Sequence, residues 1–416
     1  MGEILEIDLA EFGEEFFQDP PAVYRALREH GPALPVVLPN GWRGWLVTSY
    51  EDSRRFLADH RLRKNVNEMV RLFPPGSAAA YGSVLSRHML NSDPPDHTRL
   101  RKLVGKAFTG RAVEQLRPRI EQTASELLAA MAATAAGTQG SGPDEVVDLI
   151  ESYALPLPIM VISDLLGMPS GDWKDFRDWT LTYVSGQSQE DVAAASRHLT
   201  GYLTALIEAK KAHPGDDLLS RLVHVSDEGS QLTAAEVLSM TLLLLVAGFE
   251  TTVNLIGNGV LALLRNPGQL ALLRSQPALM PAAIEEVLRY DGPLHTATVR
   301  FTSESVRVGD AEIPEGQLVF ISLLAADRDA NRFADPGRLD ITRESGGHLA
   351  FGHGIHHCVG APLARMEGQI AIRQLLSRFP DIALADADAL RWRRTLLMHG
   401  LQGLPVRIGA LAEGGQ

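Results

Sequence analysis

From the capping-box pattern Thr233-Ala-Ala-Glu236, apolar residues run on to Arg265, where Asn266-Pro267-Gly268 stops them, giving one helix of 33 residues. At 1.5 Å per residue such a helix spans about 50 Å, far beyond the usual length, so it must cross its domain through the core. A helix in that position can present polar groups to a buried cavity. Its longest nearly unbroken apolar stretch, Val237 to Phe249, falls short of the ~18 residues of a membrane span. That stretch also contains Ser239 and Thr241, so it reads as a helix buried in protein.

The surrounding sequence is mostly helical in pattern. A small sheet near the start is expected from Val36-Val37-Leu38, the Pro39-Asn40-Gly41 turn signal and the segment Trp42 to Thr48, a hairpin. The nearest thing to a linker, Gly137 to Pro143, is short enough to be a surface loop, and no repeat or composition shift divides the chain. The fold class expected is therefore mainly α with small β-sheets, as one domain over residues 1–416. A content of 45% hydrophobic and 22% charged residues supplies a sizeable core. The net charge of -12 argues against nucleic acid or an anionic membrane as the main partner. Six acidic residues in the first seventeen are unlike a signal or transit peptide, so a cytoplasmic location is expected.

The chain has one cysteine, so no intrachain disulfide forms and Cys358 is either a bland core residue or a reactive ligand. Its setting favours the second. Phe351-Gly-His-Gly-Ile-His-His-Cys358-Val-Gly360 places glycines around it that let backbone pass close to a flat ligand. Ala361-Pro-Leu-Ala-Arg-Met then opens an amphipathic helix with Pro362 in its first turn. Amide groups and the positive end of that helix are expected to stabilise thiolate over thiol, and thiolate is the form that binds iron.

This segment resembles the haem-binding loop of the cytochrome P450 family, F-G-x-G-x-H-x-C-x-G, with every fixed position from Phe351 and Gly352 to Gly360 matched. The resemblance implies haem b with Cys358 as axial metal ligand, and a thiolate there favours O–O cleavage. It places His356 against a haem propionate. On the long helix, Ala247-Gly248-Phe249-Glu250-Thr251-Thr252 resembles the family's oxygen-activation motif. Small Ala247 and Gly248 would admit the macrocycle and oxygen, while Glu250, Thr251 and Thr252 would relay protons. A bland alternative for Thr251 is a bond back to a carbonyl four residues earlier.

Glu286 and Arg289, three apart on a helix begun near Pro281 and ended by Asp291-Gly-Pro293, match the family's E-x-x-R signature. By resemblance this ion pair is buried, and its third member is expected to be Arg338. In the helix following Asp93-Pro-Pro-Asp96, the resemblance assigns His97 and Arg101 to the haem propionates, joined by Arg300 from a strand Ala297 to Phe301. Arg99, Lys102 and Lys106 share the opposite side of that helix. They form either a docking stripe for an acidic ferredoxin or a merely solvated face.

The resemblance covers nearly the whole chain and looks closest to soluble actinobacterial members that tailor macrolides and other polyketides. It implies a monooxygenase that hydroxylates or epoxidises a lipophilic substrate with O2. Electrons from NAD(P)H arrive through a separate ferredoxin and ferredoxin reductase, because one cysteine cannot hold an iron–sulfur cluster. The expected substrate pocket is formed by Val84, Leu85, Leu243, Ala247, Leu294, Thr296, Leu397 and Met398. Between Val70 and Leu90 there is no carboxylate, so a neutral macrolactone fits better than an amino-sugar macrolide. Alternatives in other classes are a haem-thiolate peroxygenase or oxidase on a steroid, terpene or fatty acid, and a non-enzymatic haem protein.

Overall fold

The computed structural model describes residues 6–73, 86–137, 146–169, 171–185 and 189–409. At its centre lies the helix Ala234–Arg265, with Thr233 as N-cap. The Glu236 amide donates to Thr233 Oγ1 at 3.3 Å and the Thr233 amide to Glu236 Oε2 at 2.8 Å, a reciprocal cap that satisfies two otherwise orphaned donors. By length and composition this helix would cross a membrane, but 72% of its most apolar window is buried inside the protein. Apolar side chains on nearly every face explain why: Pro156–Leu165, Gln189–Ala212, Met280–Asp291 and Ala361–Arg378 all pack against it. Gly259 permits the approach of the last two, since a Cβ there would stand 2.8 Å from Ile372 Cδ1.

A six-stranded sheet covers one side, in the order Ile7–Asp8, Ala33–Val37, Arg43–Val47, Leu318–Ile321, Arg300–Thr302, Leu62–Arg63. The expected hairpin is its second and third strands, paired antiparallel from Val37 opposite Arg43 to Ala33 opposite Val47. The strand carrying Arg300 begins at that residue rather than at Ala297, because the Ala297 amide already bonds Ile321 outside the ladder. This sheet sets Arg300 beside Leu62 and hence beside Arg63 and Lys64, residues more than 230 positions away in sequence.

The ion pair expected at Glu286 and Arg289 is fully buried and bidentate, both bonds 2.8 Å. Its third member is Arg343, not Arg338. Arg343 Nε donates to Glu286 Oε1 at 3.2 Å, and the Ser345 hydroxyl donates to Glu286 Oε2 at 2.6 Å. Arg338 offers only its carbonyl, which accepts from Arg289 and Arg343. A turn closed by its amide on the Asp335 carbonyl swings its side chain out, 63% exposed. The Arg99, Lys102 and Lys106 stripe carries ion pairs of its own. Arg99 pairs with Glu236, and Lys102 and Lys106 share Asp227, so two of the protein's own carboxylates offset part of its charge.

Candidate active site

Cys358 ends a loop held by its own backbone: its amide donates to the Phe351 carbonyl at 2.9 Å, and Gly352 donates to Leu349 at 2.7 Å. Gly354, at φ +74°, passes so close to the preceding layer that a Cβ would meet Leu57 O at 2.8 Å. Arg101 Nη2 donates to the His357 carbonyl at 2.6 Å and ties the loop to the helix Asp96–Ala107. Arg365 lies 4.5 Å over the Phe351 ring and is itself clamped by Glu285. Burial opposes ionisation of Glu285, yet Arg365 and His348 hold its carboxyl down to about 2.

For the protein groups alone, the electrostatics at Cys358 run against the sequence expectation. Burial pushes the thiol up, and the amides of Gly360 and Ala361 together with Arg101 pull it down without prevailing. A bound metal cation is what deprotonates a thiol in such a setting.

Cys358 lines a cavity of about 1180 Å³ together with Ala247, Gly248, Thr251 and Thr252 of the long helix. The two threonine hydroxyls donate to the carbonyls four residues earlier, Ala247 at 2.8 Å and Gly248 at 3.1 Å, leaving oxygen lone pairs for the cavity. Glu250 does not line it. Its carboxylate faces the C-terminal segment, where Arg393 Nη1 approaches Oε1 at 3.5 Å, while Oε2 has no partner among the described residues. Burial raises Glu250 and Arg393 opposes that, so the acid is biased toward holding a proton.

Of the expected pocket residues, Leu243, Ala247, Leu294, Leu397 and Met398 line the cavity. Thr296 does not, because its hydroxyl donates to the Leu396 carbonyl at 3.0 Å and braces the C-terminal loop instead. Val84 and Leu85 lie outside the described residues.

At one edge of the cavity the expected set assembles: His97, Arg101, Arg300 and His356, the two histidine rings 4.3 Å apart. Neither ring nitrogen of His97 and not the Nε of Arg300 has a hydrogen-bond partner among the described residues. Burial, Arg101 and Lys64 lower His97; burial and the surrounding cations lower His356; burial alone brings Arg300 down to about 10. Buried His97 and Arg300 with half-buried Arg101 and His356 beside them fit a ligand with carboxylates at one edge, which is the chemistry of haem propionates.

Sequence reasoning missed Lys64, His88, Arg343, Glu367 and Arg393. His88 lines the same cavity, and burial with Lys64 nearby lowers it to about 4. Glu367 lines it too, from the helix that follows Cys358. Its place nine residues after the cysteine on a helix was the one available signal, since that residue falls on the helix's buried side.

The family model "Cytochrome P450" matches residues 159–384. The chain is 51% identical over 409 residues to cytochrome P450 107B1 of Saccharopolyspora erythraea, covering 97% of this chain and 98% of that protein. It is 42% identical over 409 residues to 6-deoxyerythronolide B hydroxylase of the same organism, covering 95% and 97%. Its structure superimposes on the tirandamycin C-bound P450 monooxygenase TamI with a TM-score of 0.87 at 46% identity, over 97% of this chain and 100% of that one.

Proposed function

The chain belongs to the cytochrome P450 family and is a monooxygenase of that family, and from this premise we propose that it oxidises a neutral lipophilic macrolactone or similar polyketide, fed electrons by a ferredoxin and its NAD(P)H-dependent reductase. The carrying observation is that Cys358 and Ala247, Gly248, Thr251 and Thr252 line one cavity whose edge holds His97, Arg101, Arg300 and His356. Haem bound at Cys358 supplies activation of O2 for insertion into an unactivated C–H bond, with thiolate ligation favouring O–O cleavage.

The protein's own groups do the rest. Arg101, Arg300 and the two histidines orient the cofactor through its carboxylates. Thr251 and Thr252 hold hydroxyl oxygens at the cavity surface, where they accept and pass on a proton. Glu250, whose pKa burial raises against the pull of Arg393, stands off the cavity, so the relay runs through the two threonines. Leu243, Leu294, Leu397 and Met398 exclude water and position an apolar substrate.

Substrate neutrality is supported by the lining. Among the described residues that line the cavity Glu367 is the one carboxylate, and it stands on the helix behind Cys358, so no anion is offered to an amino sugar. The relative named for 6-deoxyerythronolide B and the neighbour with bound tirandamycin C support the polyketide part of this reading.

Spin-state titration of the ferric enzyme tests this reading. A neutral macrolactone is expected to bind at least about tenfold tighter than its amino-sugar glycoside, a difference of about 1.4 kcal/mol. Tighter binding of the glycoside, lost on mutating residues 70–90, would overturn it.

A further inference from the structure

Lys64 follows the edge strand Leu62–Arg63, yet it is 1% exposed. Its ammonium donates to the Thr298 hydroxyl, and Thr298 in turn lines the cavity beside Arg300. A neutral hydroxyl does not compensate a buried ammonium, so a lysine kept there for packing alone is an unfavourable choice.

Its surroundings make the imbalance larger. The charges acting on it are Arg300, of the same sign, and Asp93, which favours its charged form. Lys64 itself bears on His88, His97 and His356. Asp93 is already engaged: it accepts from the amides of Lys64 and Asn65, and from Arg63 Nε at 3.2 Å. Arg63 is shared with Glu68. The region therefore gathers Arg63, Arg101, Arg300 and, when it is protonated, Lys64 around the carboxylates Glu68 and Asp93. With Lys64 protonated, cations outnumber carboxylates there, which suits an anionic ligand.

We propose that Lys64 is a haem-binding residue, a third cation of the propionate clamp beside Arg101 and Arg300, held in place by Thr298 and charged when a haem carboxylate is seated. Burial and Arg300 lower its pKa well below the ordinary lysine value, and an arriving carboxylate acts in the opposite sense. The assignment rests on the haem placement proposed above.

Haem transfer from the ferric holoenzyme to excess apomyoglobin, followed by the Soret band of the acceptor, tests it without reference to turnover. Lys64→Met is expected to release haem about tenfold faster than the native protein, about 1.4 kcal/mol of lost binding if the change lies in the dissociation step. Lys64→Arg, which keeps the charge, is expected near the native rate. Losing a positive charge near the iron also lowers its reduction potential in Lys64→Met and not in Lys64→Arg. Where Lys64→Met does not accumulate as folded protein, Lys64→Gln is read in its place.

Native release rates and an unshifted potential in Lys64→Met and Lys64→Gln, alongside faster release by Arg101→Met, would overturn the role of Lys64 while leaving the haem placement intact. Native rates in all three, Arg101→Met included, would overturn both.

Discussion

Glu367 shows at the scale of one residue how burial sets chemistry. It is 2% exposed, its Oε2 lacks a partner among the described residues, and burial pushes its carboxyl up to about 8. The folded protein then keeps a proton that the unfolded chain releases near the ordinary value of 4.5. Between those values the native state binds more protons than the unfolded one, so stability falls as pH rises and levels off above the folded pKa. Thermal unfolding of the holoenzyme is expected to show a native Tm that drops from about pH 5 to about pH 8 more steeply than that of Glu367→Gln. Parallel profiles would show that Glu367 is solvated or paired. Cys358 and His356 stand in a local loop motif, whereas His97, Arg101 and Arg300 were marked out only by the family resemblance. Lys64 and Arg393 were marked out by neither. Lys64 gains its meaning from Thr298, 234 positions away, and Arg393 from Glu250, 143 positions away, and a lone basic residue in a polar segment announces neither.

Among the elements, the long helix was read nearly to the residue, because a capping box and an Asn-Pro-Gly stop are local chemistry. What the apolar pattern hid is the stripe Glu250, Asn254, Asn258, spaced by four along one face. Asn258 Nδ2 donates at 3.0 Å to the carbonyls of both Asp291 and His399, and a Cβ on Gly400 would collide with Asn254. The stripe thus seats the C-terminal segment that carries Leu397 and Met398 into the cavity. The ion-pair helix was equally legible as an i, i+3 pair, but its third arginine sits in an irregular turn, where spacing predicts no direction. That difference is measurable. Arg343→Ala leaves buried Glu286 with one cation fewer and is expected to destabilise by about 3 kcal/mol. Arg338→Ala, at an exposed side chain, is expected to stay within about 0.5 kcal/mol. Equal losses in chemical unfolding would return the role to Arg338.

For the whole molecule, the mainly helical class and the hairpin were legible, whereas the order of the six-stranded sheet was not, since it joins strands from both ends of the chain. That closure makes the site. It carries Leu62 to Asn65 against Arg300, while the packing of Ala234–Arg265 on Ala361–Arg378 brings Thr251 and Cys358 to one cavity. The cavity is larger than any local motif discloses, and its walls come from segments far apart in the sequence, so its substrate is read from lining chemistry rather than from sequence pattern. The central claim is that Cys358 binds haem iron as a thiolate at this cavity. The most direct measurement is the absorption spectrum of the purified protein reduced with dithionite under carbon monoxide. A strongly red-shifted Soret band, lost in Cys358→His, is the result expected; a band typical of histidine ligation in the native protein, or no haem at all, would contradict the account.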